Sequence, residues 1–541
     1  MRFSYPGMRP WASPAQRSVV MAPRGMAASS HPLASRSGVR ILEQGGNAVD
    51  AAVAMAAVLS VVEPYSVGIG GDCFALLALE GGSRFVGLNA SGRAPAGASI
   101  EALAAQGLER MPEHGGAPVT VPGALAGWAE LAETHGSLGL DTLLAPAMAY
   151  AQGGFPVSEV IAGEWAQARE LLRATPEAAA AYLVDGQPPA PGQVFTNPGL
   201  ARTYRLIAEQ GPGVFYQGEL GRAAAACARE HGGWLSEEDL AAHRNQWVEP
   251  LAAGYRGWRV LELPPNGQGV TALQILSILE GYDLAALEPE GADKLHLLAE
   301  AIKIAFADRD RYVADPEFAA APVERLLSPA YAGRCRERIQ PGRALEPGRA
   351  APSLAGSDTV YLAAGDEQGN AASFISSIFT PFGSGLVAPG TGILLHNRGR
   401  SFSLDPAHAN CLAPGKRPLH TIIPGLLLED GRLAAAFGVM GGDMQPQGHA
   451  QFLVNLIDHG LNLQQALDAP RLRCLGGKRL YLEDGLPEAA ARELARRGHH
   501  IDQSAHPVNQ VGGGQVVWRD QEQGVWLGAS DRRKDGCALG W

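Results

Sequence analysis

The segment Ala48–Val62, AVDAAVAMAAVLSVV, presents almost no polar face to water. A helix that is apolar on every side has to be buried, so this stretch commits the chain to a packed interior around it. Asn47 is placed to cap the helix, and Asp50 puts negative charge in its first turn. The apolar part, Ala51–Val62, ends at Glu63-Pro64 and is too short to span a bilayer. A glycine-rich run follows, Ser66–Asp72 (SVGIGGD), and then a strand-like stretch, Cys73–Leu79.

Helical spacing continues through the middle of the chain at Ala124–His135, Leu200–Gln210 and Ala292–Tyr312. A strand is expected at Trp258–Leu263, turning at Pro264-Pro265-Asn266-Gly267. Residues from about Ala314 to Ser357 are rich in Pro, Gly, Arg and Ala and read as an exposed linker, the kind of segment in which cleavage is tolerated. Beyond it the character changes. Strands are predicted at Thr359–Ala364, Ala371–Ser377, Gly392–Leu395, Thr421–Leu428, Leu433–Val439 and Gly514–Trp518, with helices at Gln447–His459 and Glu488–Arg497. Strand runs with segregated helices predict a layered α+β fold.

The balance of charge and the cysteines narrow the function. Forty-four basic side chains against 55 acidic ones argue against nucleic acid or an anionic membrane as partner. The six cysteines are scattered, without a C-x-x-C pair, and read as free thiols. The N-terminal residues, a tail of about 20, carry Pro and Arg where a signal peptide needs an unbroken apolar stretch, so a cytoplasmic location is expected. There is no G-x-S-x-G elbow, Walker A sequence or H-E-x-x-H helix, and GIGGD is not a dinucleotide fingerprint. The histidines are dispersed, adjacent His499 and His500 read as a solvated turn, and no metal or cofactor is expected.

The stretch from Thr359, TVYLAAGDEQGNAASFISSIFTPFGSGL, resembles the start of the small subunit of gamma-glutamyltranspeptidases. Other landmarks of that family follow in order: GGNAVDAA near Gly45, TVPGALAGW at Thr120–Trp128, GPGVFYQG at Gly211–Gly218, YRGWRV at Tyr255, AFADRDRY at Ala305, GKRPLHT at Gly415, MGGDMQPQ at Met440 and DAPR at Asp468. The resemblance implies a four-layer αββα sandwich and a proenzyme that cuts itself between Asp358 and Thr359. The products would be a large subunit, 1–358, and a small catalytic subunit, 359–541, that stay together as a heterodimer or as a dimer of heterodimers. From spacing alone Thr359 is a strand-edge threonine; the resemblance makes it the nucleophile. It also implies that Gly441 and Gly442 hold the oxyanion and that Ser377 stands where a second threonine hydrogen-bonds the nucleophile. Read as plain sequence, these are a glycine turn and a strand serine.

The chemistry suits that assignment. A threonine hydroxyl needs a base. The α-amino group freed by cleavage, with a reference pKa of about 7.7–8.0, is close to working pH and within reach of its own side chain.

The departures from the family bear on substrate. Family members hold the glutamyl ammonium with an asparagine, a glutamine and an aspartate, and here Phe379, Arg398 and Ser401 occupy those positions. A phenylalanine accepts no hydrogen bond and an arginine repels an ammonium. On the carboxylate side the family's arginine is matched by Ser91, with Arg93 two residues on, and its paired serines become His420 and Thr421. Arg398 offers a fork suited to a carboxylate. The segment Ser401–Lys416 is shorter than the family's lid region, which favours hydrolysis over transfer. The expected substrate is therefore a small amide bearing a carboxylate but no ammonium. Oxamate, giving oxalate and ammonia in purine nitrogen salvage, fits best. A gamma-glutamyl (glutathione) hydrolase or transferase, or a glutaryl-type cephalosporin acylase, is the alternative, and a non-catalytic binding relative is the reading of another class.

Overall fold

The computed structural model describes residues 17–346, 358–502 and 511–541. Most of the expected N-terminal tail, and residues 347–357 of the expected linker, lie outside them.

Two seven-stranded sheets stack face to face. The first runs, in spatial order, Val20–Ala22, Val525–Ser530, Gly514–Asp520, Arg432–Val439, Gly425–Glu429, Trp258–Glu262 and Leu251–Tyr255. The second runs Cys537–Gly540, Met26–Ser29, Asp358–Gly365, Ala371–Phe379, Asp72–Leu79, Arg84–Ala90 and Gln246–Val248. All neighbouring strands in both are antiparallel.

Alternation along each strand builds the layers. In Asp358–Gly365, Tyr361 and Ala363 enter the core between the sheets, beside Phe74, Leu426, Ala436 and Trp526. Val360, Leu362 and Ala364 face the other way, into a helical layer containing Ala48–Val62. Against the outer face of the first sheet, Val260, Phe437 and Val516 meet the helices Gly269–Leu279, Ala292–Tyr312 and Met444–Ile457. The arrangement is αββα. All 15 residues of Ala48–Val62 are buried, and Asn47 and Asp50 close the helix start as a capping box.

Several expectations change at their edges. Of the residues read as an exposed linker, Val323–Leu326 and Pro329–Arg338 are helical, and Ala314 and Asp315 are buried. Ser328 caps the second of these helices with Pro329 at its first position, and Cys335 and Ile339 pack into the core at helical spacing. The Pro, Gly and Arg content conceals that periodicity. Gly392–Leu395 forms isolated bridges, to Gly70 and Val387, instead of a strand. The strand expected from Thr421 begins at Gly425, after Pro424, which has no N–H to give a ladder. The six cysteines are free, and no helix among the described residues is long and apolar enough to cross a membrane.

Candidate active site

Thr359 lies at the head of a strand in the middle of the second sheet, where the ladder is irregular. Asp358 pairs with Phe379 and Val360 with Ser376, so Ser377 and Ile378 together stand opposite Thr359 in a β-bulge. The bulge turns Ser377 toward the threonine: Thr359 Oγ1 donates to Ser377 Oγ at 3.3 Å, and both residues are fully buried. The same serine oxygen accepts from Phe379 N–H at 2.8 Å and from Arg398 Nη2 at 3.3 Å. Gly71 allows the neighbouring chain to run alongside, since a Cβ there would stand 2.5 Å from Ser377 O.

Arg398, in the short 3-10 turn Arg398–Ser401, also donates from Nη1 to Thr421 Oγ1 at 3.0 Å. Its Nε has no hydrogen-bond partner, although the side chain is wholly buried. Burial pushes the guanidinium down to about 9, partly offset by the negative charge of Asp72. Beneath it lies the ring of Phe379, whose backbone sits at φ 82°, a conformation that bulky side chains rarely adopt.

Asp72 is a member of the site for which the sequence carries little signal. Its Oδ2 meets His420 Nε2 at 3.0 Å and His396 Nδ1 at 3.2 Å, and all three are buried. Burial pushes the Asp72 carboxyl up, but the two imidazoles outweigh it and hold the group far below the usual carboxylate range. Burial pushes His420 down to about 3. Both ring nitrogens of His420 are engaged, because Nδ1 accepts from Ile422 N–H at 3.4 Å. This imidazole therefore supports the segment from behind. The clue in the sequence is an acid closing an otherwise apolar glycine-rich run.

Gly441 and Gly442 lead into the helix Met444–Ile457 with φ of 116° and 58°. At Gly441 a side chain is excluded twice, by that backbone and by Gly512 Cα, 3.0 Å from where a Cβ would stand. No hydrogen bond among the described residues uses the N–H of either glycine. Unengaged N–H groups at a helix N-terminus suit a developing negative charge. Gln268, from the turn after Trp258–Glu262, donates both to Thr421 O at 2.7 Å and to Gly442 O at 3.0 Å.

The other expected ligands fall elsewhere. Ser401 Oγ donates to the carbonyls of Arg398 and Leu419 at 3.0 and 2.9 Å, so it fastens the 3-10 turn. Arg93 is held by Glu317 at 2.5 Å, Asp315 at 3.5 Å and the Gly415 carbonyl at 2.9 Å, none of them part of the Thr359 cluster. The two-residue offset from Ser91 carries it to a different group of partners.

His499 is also unlike its expectation of a solvated turn. It is buried against His296, with His499 Nε2 and His296 Nδ1 2.9 Å apart, and its ligating atoms lie within 4.8 Å of those of His296 and Glu300. Lys303 already forms an ion pair with Glu300, which gives that carboxylate a built-in cation.

Two stacked antiparallel sheets between helical layers form the αββα fold of the N-terminal-nucleophile hydrolases. The gamma-glutamyltranspeptidase family model matches residues 34–541. A glutathione hydrolase-like YwrD proenzyme of Bacillus subtilis is 38% identical over 527 residues, covering 96% of this chain and 99% of that protein. An oxamate amidohydrolase proenzyme of Klebsiella pneumoniae is 37% identical over 533 residues, covering 96% and 98%. Among solved structures, a cephalosporin acylase from Bacillus halodurans superposes with a TM-score of 0.92 at 45% identity, covering 99% of both chains. The chain belongs to the gamma-glutamyltranspeptidase family.

Proposed function

We propose that this protein is an autoprocessed threonine amidohydrolase that converts oxamate to oxalate and ammonia. The observation that carries the reading is the position of Arg398. Its guanidinium is buried, forms no ion pair with a described carboxylate, and is separated from Thr359 Oγ1 by a single hydroxyl, that of Ser377. A buried cation of this kind calls for an anion. A carboxylate bonded directly to the scissile carbonyl reaches the fork while that carbonyl faces the nucleophile. A carboxylate at the end of a three-carbon chain has to fold back to do so. The shortness of the span favours oxamate.

Processing comes first. Thr359 Oγ attacks the Asp358 carbonyl carbon; the C–O bond forms, the C–N bond breaks, and the hydroxyl proton passes to the departing nitrogen. Water then opens the ester, leaving a carboxylate at 358 and a free α-amino group on Thr359. In turnover that amine takes the Thr359 hydroxyl proton as Oγ attacks the oxamate amide carbon. The N–H groups of Gly441 and Gly442 receive the oxyanion. The proton returns to the leaving nitrogen, ammonia departs, and water hydrolyses the oxalyl ester by the same route in reverse. Thr421 and Arg398 hold the carboxylate throughout, with His420 and Asp72 fixing the segment beneath.

The acylase-like relative at 45% identity supports a second reading, a glutaryl-type acylase or gamma-glutamyl hydrolase. Release of ammonia or amine from oxamate, glutathione and glutaryl amides separates the two. Oxamate turnover indifferent to added glycylglycine is expected; strong activity on glutathione with none on oxamate overturns the substrate assignment.

A further inference from the structure

Gln268 touches both halves of the site without reaching the nucleophile. Its amide nitrogen donates to the carbonyl of Thr421, whose hydroxyl accepts from Arg398, and to the carbonyl of Gly442 in the glycine turn. Its amide oxygen accepts from Arg309 Nη1 at 2.9 Å, and the same Nη1 reaches Asp443 Oδ1 at 2.6 Å. Gln268 is fully buried, and Arg309, Thr421 and Asp443 are buried around it.

The donor inventory fixes how this amide points. Carbonyls only accept and a guanidinium only donates, so the oxygen must face Arg309 and the NH₂ must face the two carbonyls. The Gly442 carbonyl is consequently pinned from two directions, by Gln268 and by Gln445 N–H at 3.1 Å. That sets the peptide plane following the Gly441–Gly442 pair and keeps the turn from rotating. Asn266, two residues earlier, secures the same segment: its Nδ2 donates to Pro418 O at 2.8 Å and its carbonyl accepts from His420 N–H at 2.9 Å.

We infer that Gln268 is a positioning residue that sets the distance and orientation of the oxyanion glycines relative to the carboxylate-holding segment Arg398–Thr421. The inference rests on the catalytic reading above, in which those glycines receive the oxyanion. Its effect is on the transition state, because the oxyanion forms only there, while the carboxylate is already bound in the ground state.

Two substitutions test it. Gln268→Glu keeps the oxygen toward Arg309 and reinforces that contact with charge, but turns an acceptor toward both carbonyls. Gln268→Met keeps the approximate shape and loses every hydrogen bond. If Gln268 acts through its donors, both variants lower kcat on oxamate by about tenfold to a hundredfold, the range expected when reacting groups are misplaced. KM should hardly move, and the glutamate variant should melt no lower than the methionine one. The rate at which the fragment beginning at Thr359 appears is followed in parallel, and the same loss is expected in it if those glycines also serve processing. If the side chain only anchors Arg309, Gln268→Glu has wild-type kcat and Gln268→Met is unstable; that outcome overturns the inference. Thr359→Ala and Arg398→Met are run alongside. Inactivity in these two with a wild-type Gln268→Glu enzyme defeats this inference alone, whereas activity in Thr359→Ala defeats the catalytic reading beneath it.

Discussion

The guanidinium carbon of Arg398 lies 4.0 Å from the centroid of the Phe379 ring. On the proposed reading these two side chains replace the residues that hold an ammonium in glutamyl-specific relatives, and together they make a buried, cationic and half-apolar wall. A cation over an aromatic face is favoured further when desolvated. Arg398→Met is expected to lower kcat/KM on oxamate about tenfold to a hundredfold, corresponding to about 1.5–3 kcal/mol for a lost charged hydrogen bond. Steady-state kinetics on processed protein checks this.

Phe379→Asn is expected to cost about 3 kcal/mol or more of stability, because a fully buried ring under Arg398 is lost, a loss only partly offset by asparagine's tolerance of the left-handed backbone at φ 82°. It should not confer turnover of gamma-glutamyl substrates while Arg398 remains, since the guanidinium repels the glutamyl ammonium. Gamma-glutamyl anilide hydrolysis should appear, if at all, only in the pair Phe379→Asn with Arg398→Gln. Activity in the single variant contradicts this account of specificity.

Thr359→Ala is expected to remain one full-length chain without activity. Thr359→Ser, which keeps a hydroxyl, should still be cut, with its shorter fragment beginning at residue 359. Denaturing electrophoresis with N-terminal sequencing gives the answer directly. A shorter fragment with any other first residue removes the proposed nucleophile.

The pH profile of kcat/KM should rise from the acid side to a plateau. The α-amino group of Thr359 acts as a base only when neutral, so activity is lost as pH falls through about 7.7–8.0. Burial lowers the Arg398 ionisation, yet a guanidinium stays charged through the working range, so it adds no alkaline limb. Arg398→Met should retain this acid limb at a lower plateau.

His499 packs against His296, a residue 203 positions earlier in the chain. Burial, then the charge of Lys303, followed by His296, Arg497 and Lys478, pushes its imidazole down to about 3. A histidine with a folded pKa below its unfolded value stabilises fully above about pH 6.5. That contribution is lost as pH falls toward 3, on the order of a few kcal/mol in total. Thermal melting should therefore drop steeply below pH 6.5, and His499→Phe should flatten the acid slope.

How much of this can be read from residues alone depends on where each partner comes from. Ala124–His135 and Ala292–Tyr312 are legible to the residue because their periodicity is local. Thr359, Ser377, Gly441 and Gly442 are singled out by motif, and of these the structure brings Thr359 and Ser377 into hydrogen-bond contact. Asp72, His396 and Gln268 escape such a reading because their roles are set by residues more than 100 positions away. Ser401 is expected near the turn where it lies, but as a ligand and not as a fastener. A short hydroxyl can satisfy backbone carbonyls as readily as a substrate, and spacing does not distinguish the two. The helix Pro329–Arg338 is hidden by composition, since arginines and a leading proline mask the apolar positions that fold it.

The strand that starts beside the proposed cut is flanked on both sides, by Ala371–Phe379 and by Met26–Ser29. Strands from before and after residue 358 are interleaved throughout both sheets. Scission there would thus produce two polypeptides woven into a common fabric, with the fresh amine gripped like a peg between neighbouring threads. Pulling the pieces apart would mean unravelling the sheets, so dissociation and denaturation would be a single event, and dilution alone should not release either partner.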